Sequence, residues 1–408
     1  MAILVINAGS SSLKFALYPV VDRAVKPTIF VGCIEGLEPG GHPHAKWNET
    51  GKVPHAQDLL CPAGSQPFDC ALAWLQTTLA ALSDHPALDG IAHRVVHGGH
   101  LQNSVIVTPD ILETLEQFNS LAPLHQPHNI AGIRHFAQIF PDVPQIACFD
   151  TVYHRTIPEL NYRLPLPESL TRQGIRRYGF HGLSYQYIMS ALQQHSARAN
   201  DRVLMAHLGN GASLCAALNG CSQASTMGFS ALDGLMMGTR SGSLDAGVLL
   251  YLLEQGWNSK QLEDLLYRQS GLLGVSGLSA DMRRLRAADT PRARLAIDMF
   301  VSGIVREAGG MVACLGGLDV LAFSGGIGER DAQTRLDVCR QLKWLGVRID
   351  AESNAQAVSD QIMPIHAPDS TVEIWAIPTD EGLVGAREAA DLLFGAHASR
   401  PADCRLTA

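Results

Sequence analysis

One pattern occurs twice in this chain, and it constrains the fold more than any other feature. An apolar run at Ile3–Ile6 leads into the small-residue turn Asn7–Ser12 and then a second apolar run at Leu13–Tyr18. The same order returns at Val203–Ala206, His207–Ala212 and Ser213–Leu218. Each copy reads as strand, Gly/Ser turn, strand. The two sequences are otherwise dissimilar, so the pattern is a weak internal duplication, with one phosphate-facing hairpin in each half.

Between and after these hairpins the chain mixes helices with buried strands. Phe68–Leu82 reads as a helix, and another starts at Pro109 with Thr108 as its cap. Leu244–Glu254 and Leu295–Cys314 are further helices, and a last one runs to about Leu393. Ile91–Val96, Ile146–Phe149, Val320–Phe323 and Val372–Ile377 read as strands. Glu38–Gln66, rich in Pro, Gly and His, is expected to be long loops. The three prolines of Pro158–Pro167 suggest a domain boundary. This mixture predicts an α/β fold of two domains around a cleft.

The 408 residues are 46% hydrophobic and 17% charged, enough apolar material for a large core and too little charge for extensive disorder. With 31 basic and 39 acidic side chains, the net charge of −8 leaves no basic stripe for nucleic acid. Nine scattered cysteines without a CxxC suit a reducing compartment. The N-terminal run lacks a basic leader and reads as a core strand, and no apolar stretch reaches spanning length, so neither secretion nor a membrane is expected.

An acidic chain can bind anions only by placing cations, metal or backbone N–H groups locally. Asn7–Lys14 offers backbone N–H groups, hydroxyls and an ammonium to phosphate, or it is an ordinary hairpin. Arg94, in Ala92-His-Arg-Val-Val-His-Gly-Gly99, is either a ligand-facing strand end or half of a buried ion pair. His125 is either a donor to a phosphoryl oxygen or a structural loop histidine. Asp150, ending a strand, suits Mg²⁺ or substrate positioning, with helix capping as the other reading. Phe180-His181, flanked by glycines, is an aromatic wall with an imidazole, or core.

His207-Leu208-Gly209-Asn210-Gly211 is the second phosphate-type turn, and Arg240 sits among small residues in MGTRSGS. Asp281-Met282-Arg283 and the Gly325–Glu329 loop either line a nucleotide or cap helices. Glu381 precedes the last helix, where a carboxylate commonly stabilises the N-terminus. No zinc spacing and no GxSxG elbow is present.

Taken in order, VINAGSSSLKF, AHRVVHGG, LAPLH, ACFDTVYH, RRYGFHGLS, AHLGNGAS, MGTRSG, SADMR, GGIGE and PTDE closely resemble the acetate kinase family from Asn7 to Glu381. The resemblance implies a duplicated two-domain sugar-kinase/Hsp70/actin-like fold with an interdomain active-site cleft. Residues 1–150 plus 381–408 would form one domain and 151–380 the second, with hinge closure excluding water. It implies reversible phosphoryl transfer from Mg-ATP to a short-chain carboxylate, giving acyl phosphate and ADP. Acetate is the default acceptor and propionate a strong second, and Mn²⁺ can replace Mg²⁺. A cytoplasmic homodimer is implied.

Carried over residue by residue, Asn7 and Glu381 would organise the metal, and Lys14 would touch nucleotide phosphates. Arg94, His125, Asp150, His181 and Arg240 would be catalytic, with Arg94 also gripping the carboxylate. His207, Leu208, Gly209, Asn210 and Gly211 match nucleotide-binding segments, as do Asp281, Met282 and Arg283. So do Gly326, Ile327, Gly328, Glu329 and Arg330. Val96, Leu124, Phe180 and Ala231 would line the acyl pocket. The chain departs from the family pattern at Gln126 (usually Asn), Arg330 (usually Asn) and Ala231 (usually Pro). Two rivals are a hydroxyl kinase of the same fold using Asp150 as base, and a catalytically silent nucleotide-binding scaffold.

Overall fold

In the computed structural model, which describes residues 1–9, 11–38, 40–62, 64–82, 86–123, 125–357 and 361–395, the first hairpin forms as its composition requires. β1 (Ala2–Ala8) pairs antiparallel with β2 (Ser12–Val21), and the turn is closed by Gly9 N–H donating to the Ser12 carbonyl at 2.8 Å. The remaining strands of this half are β3 (Ala24–Val25), β4 (Phe30–Glu35), β5 (His44–Glu49), β6 (His55–Asp58), β7 (Leu88–Val95), β8 (Val105–Ile106) and β9 (Gln145–Phe149). Their order is β6-β5-β4-β2-β1-β7-β9-β8, with β3 attached to β2. The pairs β1–β7 and β7–β9 are parallel.

Parallel strands must be covered on both faces. The helix Gln126–Ile139 brings Gly132 against Ala8, while the helix Glu381–Phe394 brings Gly385 against Val5 and Ala92. Val5 and Ala8 lie on opposite faces of the pleat, so the two helices cover opposite sides. A side chain at Gly132 would sit 2.9 Å from the Ala8 methyl, which explains the glycine there.

Glu38–Gln66 departs from the loop expectation. It contains β5 and β6, which extend the sheet past β4. The period-2 signal is short, Ala45 and Trp47, and is masked by polar neighbours. Trp47 nevertheless packs on this core, edge-on to Trp74 at 4.9 Å.

The second half repeats the plan. β10 (Val203–Leu208) pairs antiparallel with β11 (Ala212–Leu218), followed by β12 (Cys221–Ser225), β13 (Val320–Ser324), β14 (Met363–Pro364) and β15 (Glu373–Ala376). The order is β12-β11-β10-β13-β15-β14, with β10–β13 and β13–β15 parallel. β1-β7-β9 and β10-β13-β15 therefore share one arrangement, each starting from a hairpin. The duplication suggested by the two turns is present in the fold.

The chain divides into two units, one of Met1–Val152 with the segment from Asp380, the other of Tyr153–Thr379. Thr108 caps the helix Pro109–Glu116 by accepting from Ile111 N–H. The helices Pro67–Ala80, Ala246–Glu254 and Pro291–Leu315 match the sequence expectation closely. Gly325–Arg330, expected as a loop, is a short helix. Among the described residues no helix is long and apolar enough to cross a membrane.

Candidate active site

Arg94 stands next to the end of β7, and Asp150 follows directly on the neighbouring strand β9. The adjacency puts the guanidinium over the carboxylate. Arg94 Nε donates to both Asp150 oxygens at 3.2 Å, and Nη2 donates to Oδ2 at 2.7 Å. Asp150 is almost wholly buried. On the other side, Arg94 Nη1 lies 3.2 Å from Glu381 Oε2. Burial opposes the charge on Arg94, but Asp150 and Glu381 outweigh it and hold the proton more firmly than usual. The ion-pair reading of Arg94 thus holds.

Glu381 is placed by its neighbour. Asp380 caps the last helix, accepting from Leu383 N–H at 2.9 Å, and also accepts from the Tyr18 hydroxyl at 2.8 Å. The strand ends are tied by two side-chain amides, of which the sequence singles out only Gln126, as a departure from the family pattern. Asn129 accepts from Val96 N–H at 3.1 Å and donates to the Ala8 carbonyl at 2.8 Å, joining β7 to the first hairpin. Gln126, fully buried, accepts from His97 N–H at 3.1 Å and donates to the His97 carbonyl at 2.9 Å. The departure at Gln126 is therefore a backbone clamp.

Asn7 and Lys14 face each other across the hairpin and share one face of it. Val96 is buried. His125 occupies the N-cap position of the helix Gln126–Ile139. Leu124 lies outside the described residues. Among the described residues no three His, Cys, Asp or Glu side chains gather as a metal cluster. Mg²⁺ is bound through one or two protein oxygens plus phosphates and water. Asn7 and Glu381 supply hard oxygens of that kind.

In the second unit a separate set converges on Gly211. His181 has a left-handed backbone, φ 60°, at the start of the helix Gly182–His195. For a residue with a side chain this costs roughly 1–2 kcal/mol, strain of the sort kept at functional positions. Its ring stacks on His207 with centroids 4.3 Å apart, and Nδ1 lies 2.8 Å from Ser213 Oγ. His207 Nδ1 is 2.8 Å from Ser184 Oγ. Arg240 Nη1 donates to the Ala231 carbonyl at 2.7 Å.

A Cβ on Gly211 would lie 3.2 Å from His181 Nε2 and 3.5 Å from Arg240 Nη2. Glycine here keeps open a cradle faced by one imidazole and one guanidinium. Phe180 is buried, and its carbonyl accepts from His154 Nε2 at 2.9 Å, while His154 Nδ1 takes the Ser222 hydroxyl at 2.9 Å. His154 thus fixes the backbone beside His181.

The nucleotide-type segments differ in what they offer. Leu208 is core, and its carbonyl would meet a Cβ on Gly325 at 2.8 Å, so Gly325, at φ 74°, lets the short helix approach β10. Gly209 N–H donates to the Gly211 carbonyl at 2.9 Å, and the Asn210 carbonyl accepts from Gly238 N–H at 3.0 Å. Gly326 is exposed with open space where a Cβ would stand, Ile327 is half-buried and Gly328 buried. The Glu329 carboxylate turns inward, accepting from Gly325 N–H at 2.9 Å and Thr379 N–H at 3.0 Å. Arg330 is exposed.

Asp281 caps its helix, and the exposed Arg283 bonds back to it at 2.6 Å, bringing the Asp281 carboxyl down to about 2. The Met282 side chain is in the core. The capping reading holds for this segment, which leaves only its exposed polar atoms for a ligand.

Two hairpin-centred α/β halves, with an arginine–carboxylate set in one and an imidazole–guanidinium cradle in the other, define a phosphoryl-transferring class of enzyme. Residues 2–387 match the model of the Acetokinase family. The chain is 50% identical over 399 residues to an acetate kinase of Rhodopseudomonas palustris, covering 94% of this chain and 96% of that protein. The crystal structure of Porphyromonas gingivalis acetate kinase superposes with a TM-score of 0.83 at 34% identity, covering 96% of this chain and 99% of that one. A propionate kinase from Francisella tularensis gives 0.85 at 35% identity, covering 95% and 98%. The chain belongs to the acetokinase family and is a kinase whose phosphoryl acceptor is a carboxylate.

Proposed function

We propose that this chain phosphorylates acetate, and propionate nearly as well, using Mg-ATP, and that the reaction runs in both directions. The observation that carries the reading is Arg94 held between Asp150 and Glu381. A carboxylate acceptor is already ionised and needs no base. Its obstacle is repulsion from an anionic phosphate, which a fixed guanidinium lowers. Asp150, engaged three times by Arg94, is poorly suited to take a proton, which disfavours the hydroxyl-kinase rival. Arg94 binds the acceptor carboxylate. His181 and Arg240 receive charge on the transferring group, and the turn at His207–Gly211 and the short helix holding Gly326–Arg330 bind the nucleotide. His125 adds a donor to the phosphoryl oxygens, and Lys14 one to the nucleotide phosphates.

Asn7 and Glu381 would hold Mg²⁺, which when bound neutralises phosphate charge. Val96, Phe180 and Ala231, each buried within its own unit, are the residues to which the family resemblance assigns acyl selection, together with Leu124. The enzyme works in the cytoplasm, consistent with the free thiols of Cys33, Cys61, Cys70, Cys148, Cys215, Cys314 and Cys339. It pairs as a homodimer through the helix Ala246–Glu254, where Val248, Leu250, Tyr251 and Leu253 are all exposed on an apolar segment. Monomers rarely leave such a patch uncovered.

Steady-state rates with acetate, propionate and butyrate, read as ADP release with and without a magnesium chelator, test this. Comparable kcat/KM for acetate and propionate, both abolished by the chelator, is the expected result. Turnover independent of every carboxylate supplied would overturn it.

A further inference from the structure

The short helix Gly325–Arg330 carries the proposed nucleotide segment, and one buried side chain holds its C-terminal end. Arg335, on the following helix Ala332–Gln341, is wholly shielded from solvent. Its Nη1 donates at 2.8 Å to the carbonyls of both Gly328 and Glu329. Carbonyls of a last helical turn have no partner inside the helix, so the guanidinium supplies one. Nη2 donates at 2.8 Å to the carbonyls of Asn354 and Ala357, at the end of the helix Ala351–Gln356. Nε donates to Asn354 Oδ1 at 2.7 Å, and Asn354 Nδ2 donates in turn to the Ala332 carbonyl at 2.9 Å.

A guanidinium has five N–H groups, and here each one is engaged by a neutral oxygen. A buried charge is tolerated only when it is bonded in this way, and a helix C-terminus favours a cation. Arg335 therefore joins two helix ends in one fixed geometry. The helix Gly325–Arg330 has only 6 residues, too few to be stable alone, so such contacts set its direction.

A second arginine holds the same junction. Arg286, on the helix Met282–Ala288, donates from Nε to Asp331 Oδ2 at 2.8 Å and from Nη2 to Thr334 Oγ1 at 2.9 Å. Asp331 follows Arg330 directly, and its Oδ1 accepts from the Gln333 and Thr334 N–H groups at 3.2 Å. Met282 and Leu285 are buried, which fixes the helix that carries Arg286.

We propose that Arg335 and Arg286 are positioning residues for the nucleotide, setting the helix Gly325–Arg330 in the orientation that binds ATP and ADP. The proposal rests on the reading of Gly326–Arg330 as a nucleotide-binding segment. Both arginines act through that helix.

Calorimetric binding of Mg-ADP to full-length variants, with KM for ATP and for acetate, tests this. Gly326→Leu puts a side chain into open space on the helix and should weaken ADP binding by itself. Arg286→Ala should raise Kd for ADP and KM for ATP roughly tenfold, with KM for acetate and the thermal melt almost unmoved. Arg335→Lys keeps the charge but has too few N–H groups for these acceptors, and should weaken ADP binding further. If Arg335→Lys does not fold, Arg286→Ala decides alone. Normal ADP binding by the arginine variants, beside weakened binding by Gly326→Leu, would overturn the positioning role. Equal losses for ATP and acetate, the mark of a merely structural contribution, would overturn it as well. Normal binding by Gly326→Leu would remove the helix from the nucleotide site and take the proposal with it.

Discussion

Asp150 accepts three contacts from Arg94, the shortest 2.7 Å, and is more deeply buried than its partner. The pair is therefore asymmetric. Removing the arginine leaves a buried carboxylate without its counter-ion, whereas shortening it to lysine keeps the charge and loses the fork.

Arg94→Ala should consequently lose both activity and stability, the latter by about 3 kcal/mol. Arg94→Lys should fold nearly as well as wild type but drop kcat/KM for acetate at least roughly 100-fold. Chemical denaturation alongside steady-state kinetics separates the two. Equal stability of both variants would show that Asp150 does not depend on Arg94.

Gly211→Ala places a methyl 3.2 Å from His181 Nε2 and 3.5 Å from Arg240 Nη2. With a phosphoryl oxygen in this cradle, as proposed, kcat should fall roughly 100-fold, with the thermal melt almost unmoved. Full activity would mean the cradle is not used.

Burial pulls His93, His97 and His154 down to about 4. In the unfolded chain a histidine protonates near 6.5. Between those values the unfolded state binds more protons, so stability present above about pH 6.5 is lost as pH falls toward 4. Each group withdraws up to roughly 3 kcal/mol across that window. Denaturant melts at a series of pH values should show a steep decline below pH 6.5, and a flat profile to pH 5 would contradict the burial of these rings.

Ala231 offers the Arg240 guanidinium its carbonyl while its own side chain is buried. Ala231→Pro should selectively lower kcat/KM for propionate, because the ring reclaims volume the alanine leaves. One methylene is worth only about 1–3 kcal/mol in such a pocket, so the preference shifts without becoming absolute. An unchanged acetate-to-propionate ratio would remove residue 231 from acyl selection.

Leu250→Glu combined with Tyr251→Glu should convert a dimer to a monomer in light scattering, with each unit still folded. An unchanged mass would place the contact elsewhere.

The two hairpins were legible because each is a short, local signal: an apolar run, a glycine turn, an apolar run. Arg94 and Asp150 were legible as strand-end charges, but their mutual contact was not. It depends on β7 and β9 being neighbours, although 56 residues separate the two side chains. Asn129 and Ser213 stayed hidden for the same reason. Polar side chains on helices and strands look ordinary until the fold brings a partner to them. β5 and β6 were lost because a two-residue apolar alternation sits among histidines and prolines. Glu329 reads as a nucleotide contact in its glycine motif, whereas folding turns its carboxylate onto backbone N–H groups.

The acceptor is a carboxylate, so the product is an acyl phosphate. Incubation with Mg-ATP and acetate or propionate in the presence of hydroxylamine tests it most directly, since hydroxylamine captures acyl phosphates as hydroxamates and leaves phosphate esters intact. Hydroxamate should form in step with ADP for both acids and vanish when the acid is omitted. ADP released without hydroxamate, or a stable phosphate ester in its place, would contradict it.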